Sequence, residues 1–366
     1  MRINLLYLLI ILLIDACVER LDVPVIQSKK VLVVDGSITN QPGPHTVKLF
    51  YSSQLDEVIK TPEPFEAARA WITENNTTEY ELTETKSGVY ETSVTFTGMI
   101  GHTYKINIET EDGKKYESVP AVMKDAGSLN RVFAEFKENV INPNDLSEPQ
   151  DAFYLYIDGT GAKPQGNLLR WRWNATYQVH TAPALRVKKK GDHVVPDPPP
   201  CSGVVFDFLE DEFIPVGLCS CCDCWVTFYD ETVAISDPVI VSGNSFNKVL
   251  LGIIPIKKNI YFLDKLLIRV DQLSVSEEVY SFWNLVKTQQ EGAQNIFQPE
   301  IVKVRGNIFS ITNSEEEVFG IFSVSGIAEN KIELTLDDIP KQIPEYEVIN
   351  DDCRYTGGTN VKPSFY

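Results

Sequence analysis

Six cysteines in the C-terminal half of the chain carry its clearest chemical potential. They are Cys201, Cys219, Cys221, Cys222, Cys224 and Cys353. Cysteines grouped in this way pair into disulfides in an oxidising compartment, or bind a metal such as zinc through Cys-Xaa-Xaa-Cys spacing. The choice between these two chemistries depends on where the protein folds.

The N-terminus indicates export. Arg2 precedes a short apolar run that ends near Ile14, and Ala16 stands directly before Cys17. The run is shorter than the roughly 20 apolar residues of a membrane span, and its flanks are typical of a signal peptide. We predict a signal peptide over 1–16, a lipid on Cys17 as in bacterial lipoproteins, and a tether over 17–29. The alternative is an ordinary cleaved signal with an unmodified Cys17.

In an exported chain, six remaining cysteines predict three disulfides, with the connectivity left open. Adjacent Cys221 and Cys222 should have different partners, and a bond from Cys353 would fasten the C-terminal tail to the second domain. The rival interpretation is a metal site, because Cys219 with Cys222 and Cys221 with Cys224 have the spacing that zinc uses. The two pairs overlap, however, whereas zinc motifs normally bring two separate pairs from different segments. A redox Cys-Xaa-Xaa-Cys motif is a further alternative, but the βαβ pattern expected around it is missing.

The histidines indicate no catalytic set. They are His45, His102, His180 and His193. No metal-ligand spacing or nucleophile motif accompanies them, and His45 and His102 lie in turn sequences that predict exposed positions. No phosphate loop or dinucleotide fingerprint is present. We therefore predict a protein that is not an enzyme and that has no catalytic residues, no resident metal and no cofactor.

The formal net charge of −18 bears on partners. An acidic surface repels phosphate backbones and anionic headgroups, so nucleic acid is excluded and the lipid must provide membrane attachment. We interpret the basic run of Arg186 and Lys188–Lys190 as a solvated loop. The less favoured interpretation is a docking patch for an acidic partner.

Period-two alternation and frequent turns predict a mainly β protein, with an N-terminal immunoglobulin-like β-sandwich over 30–122. Val47 and Leu49 share one strand face, and 111–114 reads as a hairpin turn. Turn-rich chemistry over 123–149 predicts a junction.

A larger β-rich domain is predicted over 150–345, followed by a tail over 346–366 tied by Cys353. In its clearest strand, Leu168–His180, Trp171 and Trp173 share a face that is either core or a sugar-stacking platform, with core favoured. One amphipathic helix should start at a capping box of Ser274 and Glu277 and stop at Gly292. Later strands are expected near 319–324 and 331–336, with a turn at 328–330.

The order of several short motifs resembles a known family. They are Val31–Asn40, Pro42-Gly43-Pro44, Ile268–Ser274, Tyr280–Trp283, Phe297-Gln298-Pro299, Gly306-Asn307-Ile308 and Phe319–Phe322. The pattern resembles Bacteroidota outer-membrane lipoproteins catalogued as domain of unknown function four-two-four-nine. Members are typically encoded beside TonB-dependent receptors. The resemblance implies an accessory role in ligand capture at the outer membrane and brings no catalytic residues.

Anchor and resemblance together predict a non-enzymatic lipoprotein, attached to the outer membrane and exposed at the cell surface. Its expected partner is a TonB-dependent outer-membrane receptor, and its ligand could be a small molecule, a glycan or a peptide. The alternatives are a metal-capture lipoprotein that uses the cysteine cluster and an exported hydrolase whose acids are scattered through the sequence.

Overall fold

The computed structural model of the chain is mainly β. It describes residues 30–52, 62–67, 69–142, 145–162, 168–237, 245–256, 259–292, 304–343, 345 and 348–366. The predicted signal peptide, Cys17 and the tether over 17–29 lie outside the described residues. In the described part, no helix is both long enough and apolar enough to cross a bilayer.

Residues 32–122 form most of a β-sandwich. Its strands are β1 (Leu32–Thr39), β2 (Thr46–Tyr51), β3 (Arg69–Glu74), β4 (Thr78–Glu81), β5 (Thr83–Lys86), β6 (Val89–Glu91), β7 (Thr103–Glu109), β8 (Lys115–Ser118) and β9 (Ala121–Val122). Strands β1, β2, β6 and β5 share one sheet, and β8, β7, β3 and β4 share the other, with β9 against β7. Val47 and Leu49 are buried as predicted, because alternate side chains of β2 face the opposite sheet.

Two strands from late in the chain complete this sandwich. β21 (Ile308–Ser310) pairs with β8, and β22 (Val318–Ser325) pairs in parallel with β1 along its whole length. The sequence boundary that assigned 150–345 to a second domain therefore separates strands that share a sheet. Strand pairing over such distances leaves no local pattern, so alternation alone could not reveal it.

The second sandwich packs a three-stranded sheet against a larger one. The first contains β10 (Ser128–Asn142), β11 (Asp145–Thr160) and β19 (Ser245–Pro255). The second contains β17 (Asp223–Tyr229), β12 (Leu169–His180), β20 (Leu266–Ser274) and β23 (Ile327–Leu334), with β18 (Ala234–Ile235) beside β12.

The predicted junction over 123–149 is wrong, because most of it forms β10 and the start of β11. Register shifts near Asn139, which has a φ of 52°, interrupt the alternation that would have indicated a strand.

Two hairpins project from the second sandwich. β13 (Val187–Lys190) pairs with β14 (His193–Pro196), and β15 (Val204–Asp207) pairs with β16 (Glu212–Pro215). The basic run is thus a solvent-exposed hairpin and not an irregular loop, and Asp197 accepts hydrogen bonds from Arg186 and Lys188. Short 3₁₀ turns span Pro183–Leu185, Pro200–Ser202, Asn259–Phe262, Leu336–Asp338 and Cys353–Thr356.

The α-helix of the described chain, α1 (Glu277–Gly292), has the predicted extent but a different cap. The Ser276 hydroxyl accepts the backbone N–H of Val279 at 3.3 Å, whereas the Ser274 hydroxyl donates to the Lys124 carbonyl at 2.6 Å. Val279 is buried against Ile321 of β22, so the helix packs on the outside of the first sandwich as well as the second.

Polar contacts fasten the two sandwiches where the chain passes directly from β22 to β23. Gly326 donates its N–H to the Lys124 carbonyl at 3.0 Å, and a Cβ built there would lie 2.2 Å from the same oxygen. The Asn40 side chain accepts the next N–H, from Ile327, at 2.8 Å. The turn predicted at 328–330 is wrong, since those residues lie within β23 and the change of direction falls at Gly326.

Candidate functional site

The six cysteines form three disulfides. The pairs are Cys201–Cys221, Cys219–Cys222 and Cys224–Cys353, with Cα–Cα distances of 5.6, 5.7 and 5.5 Å. These separations are typical of disulfides. The structure thus confirms full pairing, and adjacent Cys221 and Cys222 bind different partners as expected. The sequence left the connectivity open. Cys201–Cys221 and Cys219–Cys222 are interleaved along the chain, and both lie directly before β17.

The third disulfide fastens the C-terminal tail to the second sandwich, as predicted. Cys353 donates its N–H to the Cys221 carbonyl at 3.0 Å, and Thr359 and Trp225 exchange backbone hydrogen bonds at 2.8 and 3.0 Å. The final residue, Tyr366, donates its hydroxyl to the Lys265 carbonyl at 2.9 Å. The described tail therefore acts as an extra layer on β17 and β20.

One group of side chains in the described residues has the spacing of a metal site. The Cys201 and Cys221 sulfurs and the Asp352 carboxylate lie within 4.8 Å of one another. Both sulfurs are joined in a disulfide, and a metal needs the thiolate form. Asp352 is occupied as well: hydrogen bonds from the Arg354 guanidinium hold the pKa of this carboxyl below its usual range. Only reduction of the disulfide would create a donor set for a metal.

The Trp171–Trp173 face is core. Trp171 is 2% exposed and Trp173 is 7% exposed. The Trp171 indole N–H donates to Gln272 Oε1 at 2.9 Å, and its ring meets Phe246 edge-on. A ligand cannot stack on rings that face the opposite sheet, so the sugar-platform interpretation has no support here.

His45 and His102 are less exposed than predicted. The His45 ring is partly buried against Phe96, and this burial lowers the pKa of His45. His102 Nδ1 lies 2.7 Å from a Glu74 carboxylate oxygen, and the same carboxylate accepts the hydroxyls of Tyr104 and Tyr80 at 2.5 and 2.8 Å. Three groups therefore bond to Glu74 at the edge of the first sandwich. The arrangement ties strands β3, β4 and β7 together.

The stapled hairpin, defined as residues 201–222 with β15 and β16 at its centre, is the unusual surface of this site. Its base is closed by Cys201–Cys221 and Cys219–Cys222, and Gly203 bends there with a φ of 72°. A Cβ on Gly203 would lie 2.5 Å from the Gly217 carbonyl oxygen, so the two sides of the base approach as closely as glycine allows.

Large apolar side chains on this hairpin point into solvent. Phe208 is 66% exposed, Leu209 is 92% exposed and Leu218 is 96% exposed. Other exposed apolar residues on it are Val205, Phe213, Ile214 and Val216. Phe206 packs edge-on against Phe208 and Phe213, with ring centroids 5.0 and 4.9 Å apart, so the aromatic rings form a small cluster. Exposed apolar patches of this kind mark interaction sites.

The tip of the stapled hairpin is acidic as well as apolar. Asp207, Glu210, Asp211 and Glu212 surround Phe208 and Leu209 in sequence. The Asp207 carboxylate accepts the Leu209 N–H at 2.7 Å and so fixes the turn that presents the two apolar side chains. Sequence reasoning missed this hairpin, although the apolar runs over 204–206 and 213–214 on either side of an acidic turn were its available signal.

Fold and site define a disulfide-stapled protein of two β-sandwiches with a projecting apolar hairpin. The family model described as domain of unknown function, DUF4249, matches residues 18–331. The chain belongs to this family, which confirms the resemblance seen in the order of its motifs. No curated protein matches the chain.

Proposed function

We propose that this protein is a non-enzymatic, lipid-anchored outer-membrane lipoprotein and an accessory binding partner of a TonB-dependent receptor. The stapled hairpin is the surface that docks on the receptor. The observation that carries this proposal is the set of exposed apolar side chains on a hairpin held by two disulfides. Leu209 and Leu218 are almost completely exposed, and their contact with water is unfavourable. Burial against a partner would remove that contact.

The staples make the hairpin suitable for docking. A surface that is already ordered loses little conformational entropy on binding, so more of the apolar contact energy contributes to affinity. Burial of each large apolar side chain contributes about 1.5–3 kcal/mol. Phe208 and Leu209 at the tip would act together as the anchor of the interface.

Charge defines the complementary surface. The acidic residues around the tip favour a receptor recess with an apolar floor and a rim of lysine or arginine, and they disfavour insertion into anionic lipid.

Purification of the lipoprotein from membranes in mild detergent tests the proposal. The wild-type protein should carry a TonB-dependent receptor with it. The double variant Phe208→Ser/Leu209→Ser should weaken the complex about a hundredfold, because about 3 kcal/mol of apolar contact is lost. Val94→Ser is the matched control, since Val94 is 65% exposed on the first sandwich.

Equal receptor recovery with the hairpin variant and the control would contradict docking through the hairpin. Absence of a receptor together with turnover on a panel of glycans or peptides would overturn the accessory role itself.

A further inference from the structure

A narrow cleft separates the two sandwiches on the side of α1. It encloses about 60 Å³ and lies between β1 and β22 of the first sandwich and β12 and β20 of the second. Side chains from both units line it, including Asp35, Ser37, Ser323, Arg170 and Trp283. The space admits one functional group of a ligand and not a whole sugar ring.

Two buried donors without partners meet at this cleft. The Arg170 guanidinium carbon lies 3.5 Å from the centre of the Trp283 ring, in a cation–π stack. Arg170 Nε and Trp283 Nε1 are both buried, and neither has a hydrogen-bond acceptor among the residues that the structure describes. Trp173 Nε1 and Trp225 Nε1 are unpaired as well, but Arg170 and Trp283 both line the cleft, where an acceptor from outside the chain can reach two donors at once.

The neighbouring cations show what Arg170 lacks. Arg172 pairs with Asp271 at 3.1 Å, and Arg269 pairs with Glu329 at 2.9 Å on the same sheet face. No carboxylate of the described residues lies within ion-pair distance of Arg170. Burial, with help from the nearby Arg172 charge, lowers the pKa of Arg170 to about 10, against the opposing influence of Asp230 and Asp35. At neutral pH the guanidinium remains charged, and the carboxylates of Asp230 and Asp35 act on it only from a distance.

We propose that this cleft binds the carboxylate of a ligand, with Arg170 as the charged donor and the Trp283 indole N–H as the second donor. An arginine fork matches the two oxygens of a carboxylate. Asp35 and Asp230 add negative charge nearby, which favours a monoanion over phosphate. No residue of the stapled hairpin lines this cleft. The carboxylate site can therefore be tested separately from the proposed docking.

Fluorine NMR of the protein labelled with 5-fluorotryptophan tests the site directly. The chain has five tryptophans, and Trp283→Phe identifies the resonance of that ring. Sodium acetate is titrated against sodium chloride at constant ionic strength. Acetate should shift the Trp283 resonance saturably, while the other tryptophan resonances stay in place.

Variants define the role of the arginine. Arg170→Gln should abolish the acetate response and Arg170→Lys should weaken it at least tenfold, because lysine keeps the charge but loses the fork. Arg269→Gln is the matched control and should respond as the wild type does. Unchanged positions of the other tryptophan resonances in Arg170→Gln establish that this variant is folded.

Two pairs of probes separate the sources of the carboxylate. A short peptide with a free C-terminus is compared with its amide, and glucuronate with glucose. A response confined to the carboxylate member of either pair supports the proposal and identifies the source. A chloride response equal to that of acetate, a response that survives in Arg170→Gln, or phosphate binding as strong as acetate binding would overturn it.

Discussion

The Cys224–Cys353 bond should contribute more to stability than the other two disulfides. In the chain-entropy model a disulfide stabilises by restricting the unfolded chain, and the effect grows with the logarithm of loop length. The cysteines are separated by 129, 20 and 3 residues in Cys224–Cys353, Cys201–Cys221 and Cys219–Cys222. The corresponding contributions are about 5, 3 and 2 kcal/mol.

The perturbation is the replacement of each pair by alanines, so that no free thiol remains. Urea unfolding of each double variant, followed by circular dichroism and by tryptophan fluorescence, gives the loss in free energy of unfolding. Coincident transitions by the two probes establish that a single free energy is being compared. Cys224→Ala/Cys353→Ala should lose the most and Cys219→Ala/Cys222→Ala the least.

Equal losses for the three pairs, or the reverse order, would refute the loop-entropy reasoning. Non-reducing peptide mapping of the wild-type protein provides the control, because all six cysteines should be found in the three observed pairs. Free thiols accompanied by stoichiometric zinc would instead support the metal-capture alternative.

Three further outcomes are expected. Mass spectrometry of the membrane fraction should find lipid on Cys17, and Cys17→Ser should release the protein from the membrane; a wild-type protein that is soluble and begins elsewhere would contradict this. Burial would raise the pKa of Glu74, but hydrogen bonds from Tyr104, Tyr80 and His102 lower it overall. A lowered pKa means that the stabilisation is complete above the unfolded-state pKa and is lost as pH falls towards the folded-state value. Acid titration of stability should therefore be flatter in Glu74→Gln than in the wild type, and parallel curves would refute the role of the charge. Leu209→Ser should change the free energy of unfolding by less than about 0.5 kcal/mol, whereas a large loss would show that the hairpin tip supports the fold.

Features encoded by local pattern were predictable from the sequence. The alternation in β12 correctly placed Trp171 and Trp173 in the core, and the turn at Gly113, with its φ of 79°, lies where β7 and β8 meet. Full oxidation of the cysteines was predicted from their even number and from the expectation of export. In each case, neighbouring residues or composition carry the information.

Features that depend on distant segments were not predictable. The pairing of β22 with β1 and the length of β10, whose bulges hide its alternation, needed the folded chain. The unpaired donors of Arg170 and Trp283 are another example. Their lack of a partner among the described residues depends on how β12 and α1 pack against the first sandwich. The stapled hairpin was missed because its apolar runs are short and its disulfide connectivity was open.

The parallel pairing of β22 with β1 imposes an order of events on the folding of this chain. β1 is synthesised before the other described strands, but its sheet neighbour β22 follows only after every strand of the second sandwich except β23. Until then the edge of β1 is open, and the first core lacks Val318, Phe322 and Val324. An open strand edge beside an incomplete core favours aggregation. The N-terminal sandwich therefore cannot mature ahead of the rest, and a fragment ending at residue 122 should be insoluble where the full chain is not.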